Sequence, residues 1–154
     1  MKISDDFSLE EFCHPDDPIA ASDDAIVAKV KRLASEFLEP IRAHFAKPVD
    51  IRSAYRSLRH NAVVGGVPTS YHLYAYDHAA VDFLVRGVPL QEVFDWIRLE
   101  SHLAFDQVIL ERAKGRTDDL GGVIHLQIRA VPRRMALVGS THGQGGYGRV
   151  PVNA

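Results

Sequence analysis

The amino-acid sequence predicts an α+β fold, with a mostly antiparallel sheet flanked by helices. Three observations lead there. Ile26, Val30, Leu33, Phe37, Ile41 and Phe45 recur at three- and four-residue steps, the period of a helix with one apolar face. Several short segments rich in Val and Ile read as strands. The turn-rich, charged Lys114-Gly-Arg-Thr-Asp-Asp-Leu-Gly-Gly122 joins two of these as a hairpin loop would. The resulting order is helix, helix, strand, long loop, strand, helix, strand, strand, strand.

Each element has its own local cause. Ser8, with Glu11 three residues on, is a capping-box pattern for a short helix over Phe7–Phe12, and His14-Pro15 and Asp17-Pro18 end it. Ser22-Asp-Asp-Ala25 opens the long amphipathic helix, in which Pro40 predicts a kink or a fresh start. Lys47–Tyr55 reads as a strand, with Val49 and Ile51 alternating against polar neighbours. Gly65-Gly66 and Pro68 then mark an ordered excursion. The apolar run Ala79–Val85 reads as a buried strand. Pro89 sits at the first position of a helix that carries Val93, Phe94, Trp96 and Ile97 and ends near His102. Strands over Phe105–Glu111, Val123–Ile128 and Arg134–Val138 complete an antiparallel set.

At 154 residues the chain has the length of one domain. That domain spans residues 1–138; residues 139–154 hold five glycines and no core pattern, which predicts a flexible tail or an arm that orders against a partner, such as a virion protein. A net charge of −2 gives no basis for nucleic-acid or membrane-surface binding. The single Cys13 excludes an intramolecular disulfide. Met1-Lys-Ile-Ser-Asp-Asp6 has no apolar core of a signal peptide, and no run approaches a membrane span. The expectation is a protein made in the cytoplasm, delivered by other means if its target lies outside.

The chemistry concentrates in Ser70-Tyr-His-Leu-Tyr-Ala-Tyr-Asp-His-Ala-Ala-Val-Asp-Phe83. His72, Asp77, His78 and Asp82 fall within eleven residues and run into a buried strand. Imidazole and carboxylate on a rigid strand suit a metal; the other reading is a polar turn. His125, amid Val123, Ile124, Leu126 and Ile128, reads by itself as a satisfied structural histidine. If strands 105–111 and 123–128 pair, however, Glu111 and His125 lie near each other. His72, Asp82 and His125 would then give three ligands and leave a fourth position open, with Glu111 as a general base. No helical His-Glu-x-x-His motif is present.

Several pieces, in order, resemble the zinc D-alanyl-D-alanine carboxypeptidase family. They are Phe7-Ser-Leu-Glu-Glu-Phe12, Leu38-Glu-Pro-Ile-Arg42, Ile51-Arg-Ser-Ala-Tyr-Arg-Ser57, Asn61 with Val64-Gly-Gly66, Ser70-Tyr-His-Leu-Tyr74, Ala80-Val-Asp-Phe83 and Phe105–Glu111. That family includes D-Ala-D-Ala dipeptidases and phage L-alanyl-D-glutamate endopeptidases, and shares its fold with the hedgehog signalling domain. The resemblance covers roughly residues 5 to 130. It implies a hedgehog/DD-peptidase-like fold and zinc held by His72, Asp82 and His125. It further implies Arg56 on the substrate carboxylate, Ser70 beside the bound peptide and Glu111 as the catalytic glutamate. The implied reaction is hydrolysis of a stem or cross-link peptide bond in peptidoglycan, as in phage endolysins that degrade the cell wall. The alternative is a member with a weakened or inactive site, serving as a wall-binding or virion structural protein.

Three features depart from the family pattern. Nine residues lie between His72 and Asp82 where six are usual, and Ala75 stands where a glycine is usual. His78 is therefore a second candidate for the first ligand, and Asp77 a carboxylate close enough to intrude. His72 ranks first because Ser70-Tyr-His-Leu-Tyr74 matches on both sides. Val123 occupies a position usually aromatic, and the 112–122 loop is long. Elsewhere Trp96 reads as core, Arg133-Arg134 as a solvated strand edge, and His60, His102 and His142 as exposed.

Overall fold

A computed structural model of the protein describes residues 1–140 and 146–154; His142 lies outside them. One long helical run opens the domain. Its first segment, α1 (Asp24–Leu33), is capped by Asp23, whose carboxylate accepts from the Ile26 N–H, one residue on from the expected Ser22. A π-helical turn over Ala34–Leu38 then leads into α2 (Glu39–Phe45), with Pro40 in its first turn. Proline lacks an N–H and its ring crowds the preceding turn; the wider turn just before it absorbs both effects, so the run continues without a break. The short helix at Leu9–Phe12 is a 3-10 turn, and Glu11 accepts from the Ser8 backbone N–H at 2.7 Å as the capping box predicts.

Six strands form one sheet: β1 (Val49–Ser53), β2 (Ala79–Val85), β3 (Gln107–Arg112), β4 (Val123–Ile128), β5 (Met135–Ser140) and β6 (Gly148–Val150). Their order across the sheet is β1-β2-β4-β3-β5-β6. The sheet is mixed, not mostly antiparallel as the sequence suggests: β3 and β5 run parallel. The reason is topological. β4 lies between β2 and β3, so the chain leaving β4 crosses the end of β3 and joins its far edge, running the same way. Asp106, fully buried just before β3, fastens that crossing: its backbone carbonyl accepts from the Met135 N–H, and its carboxylate accepts from the backbone and guanidinium of Arg133. Arg133 is exposed, as a solvated edge would be, yet both arginines are also engaged in the fold. Arg133 neutralises a buried carboxylate, while Arg134 donates to the Leu103 and Asn153 carbonyls.

The two faces of the sheet separate by the period of two. Val81 and Phe83 of β2, Val108 and Leu110 of β3, and Ile124 and Leu126 of β4 are buried in one core with Val30, Leu33 and Phe37 of the helical run and Val93, Phe94 and Ile97 of α4 (Leu90–Leu99), the helix that follows the short α3 (Leu58–Val63) in the chain. α4 ends three residues before His102, and Asp119, from the long 112–122 loop, accepts from the Leu90 N–H at its start. Trp96 is half-buried, its ring stacked on His44 at 4.2 Å. The opposite face carries Asp82, Ile109, Glu111, His125 and Gln127.

Residues 139–140 and 146–154, the described part of the expected flexible tail, are held by the domain. Gly139 and Ser140 complete β5, and β6 pairs with Ala136–Val138. Arg98 donates to the Pro151 carbonyl, and the Asn153 N–H donates to Arg98's carbonyl. Backbone pairing and two arginines supply the order that a glycine-rich composition lacks.

Candidate metal centre and cleft

Register brings the central residues together. Asp82 and His125 are directly paired across β2 and β4, and a period of two keeps both on the face opposite the hydrophobic core. His125 Nδ1 lies 2.8 Å from Asp82 Oδ1. His72 arrives from a different element, a 3-10 turn at Tyr71–Leu73 that Ser70 caps by accepting from the His72 N–H. The His72 ring is buried; its Nδ1 donates to the Ala54 carbonyl at 2.7 Å, which directs Nε2 at Asp82 Oδ2, 3.3 Å away. One ligand atom from each of His72, Asp82 and His125 lies within 4.8 Å of the others. Tetrahedral zinc with ligands at about 2.0–2.1 Å needs its ligand atoms about 3.3–3.5 Å apart. Two imidazole nitrogens and one carboxylate, converging within 4.8 Å, are a donor set that fits that ion.

His78 and Asp77 stand apart from this group. The additional residues between His72 and Asp82 form an outward turn, in which Tyr74 and Tyr76 adopt left-handed backbone at φ 54° and 53°. Tyr74 is locked there, its buried hydroxyl donating to the Ala80 carbonyl and its own carbonyl accepting from Lys29. His78 stacks flat on Tyr71, 3.9 Å between ring centres, and Asp77 accepts from the Ala130 N–H. Neither reaches the His72–Asp82–His125 cluster. The longer spacing is absorbed by a loop that bulges away from it.

The cluster lies in a cleft of about 540 Å³ that Arg56, Ser70, Glu111 and Tyr147 also line. Arg56 is held by two neighbours: Nε and Nη2 donate to Ser53 Oγ, and Nη1 donates to Asn61 Oδ1. Asn61 is itself buried, donating to the Val67 carbonyl at 2.9 Å. Gly66 packs so closely on it that a Cβ there would lie 2.0 Å from Asn61 Oδ1. The second glycine of the pair quoted from the sequence thus has a steric purpose, since it leaves room for the amide that orients Arg56.

The electrostatics follow from burial and from the pairings. Burial by itself pushes the Asp82 carboxyl up, but the charges and hydrogen bonds of His72 and His125 outweigh it and hold the carboxyl well below the usual range. Burial pushes His125 down, yet its hydrogen bond to Asp82 and the charges of Asp82 and Glu111 raise it to about 9 in the metal-free protein. Glu111 moves the other way from an ordinary carboxylate: burial, aided by the negative Asp82 and opposed by His125 and Arg56, lifts it to about 7. Two carboxyl groups in one cleft are thereby driven apart, one fixed as an anion and one poised to exchange a proton near neutrality.

A family model described as Peptidase M15 matches residues 7–114. The chain belongs to the peptidase M15 family. That membership indicates a zinc metallopeptidase, M15 peptidases being zinc-dependent. No curated protein matches the chain. The matched M15 segment contains Arg56, Ser70, His72, Asp82 and Glu111 and stops before β4, so His125 joins the cluster from outside it. Sequence reasoning about the M15 resemblance missed two cleft residues. Tyr147 comes from the glycine-rich end, its ring lying against Gly139, the β5 residue paired with Glu111. Gln127 sits two positions beyond His125 on the same strand face. Strand alternation was the available signal for Gln127; nothing in the sequence marked Tyr147.

Proposed function

We propose that the protein is a zinc-dependent peptidase that cleaves a stem or cross-link peptide bond of peptidoglycan, and that it is a cell-wall-degrading enzyme of the phage endolysin type. The observation that carries this reading is the convergence of His72 Nε2, Asp82 and His125 Nδ1 in one cleft with Glu111 and Arg56.

His72, Asp82 and His125 would hold the ion through two nitrogens and one oxygen. Zinc, when bound, supplies a Lewis acid that polarises a carbonyl and makes water nucleophilic near neutral pH. The protein's own groups do the rest. Arg56 is a permanently charged planar fork, pre-set by Ser53 and Asn61 to take a peptide carboxylate in two-point contact. Ser70 lines the same wall; its oxygen accepts from the His72 N–H, so the hydroxyl hydrogen remains available to a substrate carbonyl. Glu111, partly buried on the wall of the same cleft, would take a proton from the attacking water and return it to the leaving amine.

The test is incubation of the zinc-loaded protein with purified peptidoglycan sacculi and with soluble muropeptides. New free amino groups would be counted and the fragments identified by mass. Turnover is expected, with a loss of about 10²–10⁴-fold in Glu111→Gln while zinc is retained. No release from either substrate by zinc-loaded wild type would overturn the enzymatic reading and leave a wall-binding or virion structural protein.

A further inference from the structure

The proposed zinc ligand His125 has two ring nitrogens, and a metal can take only the one that carries no proton. What selects it lies outside the cluster. His125 Nε2 is 3.0 Å from Gln127 Oε1, and Gln127 Nε2 donates to Asp106 Oδ2 at 2.8 Å. Asp106 is fully buried and accepts from Arg133 Nε at 2.9 Å, from Arg133 Nη2 at 2.8 Å and from the Arg133 backbone N–H at 3.1 Å. An ionised carboxylate only accepts hydrogen bonds. The Gln127 amide must therefore turn its NH₂ toward Asp106 and its carbonyl toward His125. A carbonyl also only accepts, so His125 Nε2 donates its proton to Gln127 Oε1. His125 Nδ1 faces Asp82 at 2.8 Å, and with Nε2 committed to Gln127 it is the nitrogen whose proton a metal ion would displace. Arg133 keeps Asp106 ionised; Arg133 and Gln127 both donate to that carboxylate, and Gln127 in turn accepts from His125.

Gln127 is 7 % exposed, and its amide bridges two buried groups, donating to Asp106 and accepting from His125. Val123, which shares its strand face, is apolar. We propose that Gln127, held by Asp106 and Arg133, is a positioning residue that fixes the tautomer and ring orientation of His125, so that Nδ1 is presented to the metal. The proposal rests on the zinc-peptidase reading. It adds a dependence of the site on the loop that crosses the end of β3, because Arg133 belongs to that loop. His72 is oriented more simply, by the Ala54 carbonyl. The two imidazoles are thus set by independent partners, as outer partners generally set metal-bound histidines.

The experiment measures zinc affinity by competition with a chromophoric chelator, the metal-free urea midpoint, and the bonding state of each His125 ring nitrogen by long-range ¹H–¹⁵N spectra. These are applied to wild type, Gln127→Met and Asp106→Asn. Methionine matches glutamine in length and offers no strong acceptor. Asparagine at 106 provides an N–H and frees the Gln127 amide to turn. The expected result is Nδ1 ligation with a protonated Nε2 in wild type. Zinc affinity should fall about 10–100-fold in Gln127→Met, and the nitrogen signals should become mixed. Asp106→Asn should fall in the same direction. Ligation through Nε2 in wild type overturns the proposal without any variant. So does an affinity in Gln127→Met within about twofold of wild type. If Gln127→Met does not fold, Asp106→Asn and the wild-type spectra still decide. In all these cases wild type binds zinc and the peptidase reading survives; a wild type that takes up no zinc overturns that reading and the proposal together.

Discussion

Asp82 and His125 face each other across β2 and β4, His125 Nδ1 donating to Asp82 Oδ1 at 2.8 Å. The proton in that hydrogen bond is one that a metal ion would displace. Zinc binding should therefore release protons, and affinity should rise with pH as His125 deprotonates, up to about 9. Calorimetry in buffers of different ionisation enthalpy measures the released protons. Equal apparent enthalpies in all buffers would contradict the expectation.

The same pair sets the stability profile of the chelator-stripped protein. His125 is raised from its ordinary 6.5 to about 9, so its contribution is complete below about pH 6.5 and is lost as pH rises toward 9. Asp82 is held below its ordinary 3.8, so its contribution is complete above that value and is lost as pH falls further. Urea midpoints from pH 4 to 9 should thus decline on the alkaline side. Asp82→Ala should flatten that decline, lose zinc binding and cost about 3–5 kcal/mol by leaving a buried imidazole unpaired.

Glu111 opposes folding where it is ionised. Its folded value of about 7 stands above the ordinary 4.5, so the favoured protonated form is present below 4.5 and is lost as pH rises through 7. Glu111→Gln should stabilise the metal-free protein at pH 8 by about 1–3 kcal/mol while removing turnover. Chemical denaturation at pH 5 and pH 8 checks this, since the gain should appear only at the higher pH.

Gly66→Ala should damage the cleft without touching the ligands. Its Cβ would lie 2.0 Å from Asn61 Oδ1, forcing out the amide that steadies Arg56. A loss of about 1–3 kcal/mol is expected from overpacking, with zinc stoichiometry unchanged. If the proposed role of Arg56 holds, KM should rise more than kcat falls.

Gly139→Ala tests the seat of Tyr147. The added Cβ would meet the ring at 2.3 Å, next to the pairing of β6 with β5. The expected outcome is faster trypsin cleavage after Arg149 with an unchanged thermal midpoint for the rest of the domain. Equal cleavage rates would mean that the ring finds another resting place.

What the sequence determined by itself was local. Ile26 to Phe45 announced a helix by period, Ser8 and Glu11 announced a cap by spacing, and Ala79–Val85 announced a buried strand by its apolar run, each through interactions between near neighbours. His72 and Asp82 stood out because they flank one loop. Tertiary structure decided what depends on strands meeting over long distances. The sequence could not say that β5 would join β3 in parallel, because a loop of a few residues can turn back beside its own strand or cross to the next edge. Nor could it say that residues 146–154 would be fastened, since Arg98 and Arg134 lie tens of residues away along the chain. Whether His125 was an ordinary core histidine or part of a cluster rested on one fact, its register opposite Asp82. A slip of one residue would have turned it into the core, and only the packing of the whole sheet fixes that register.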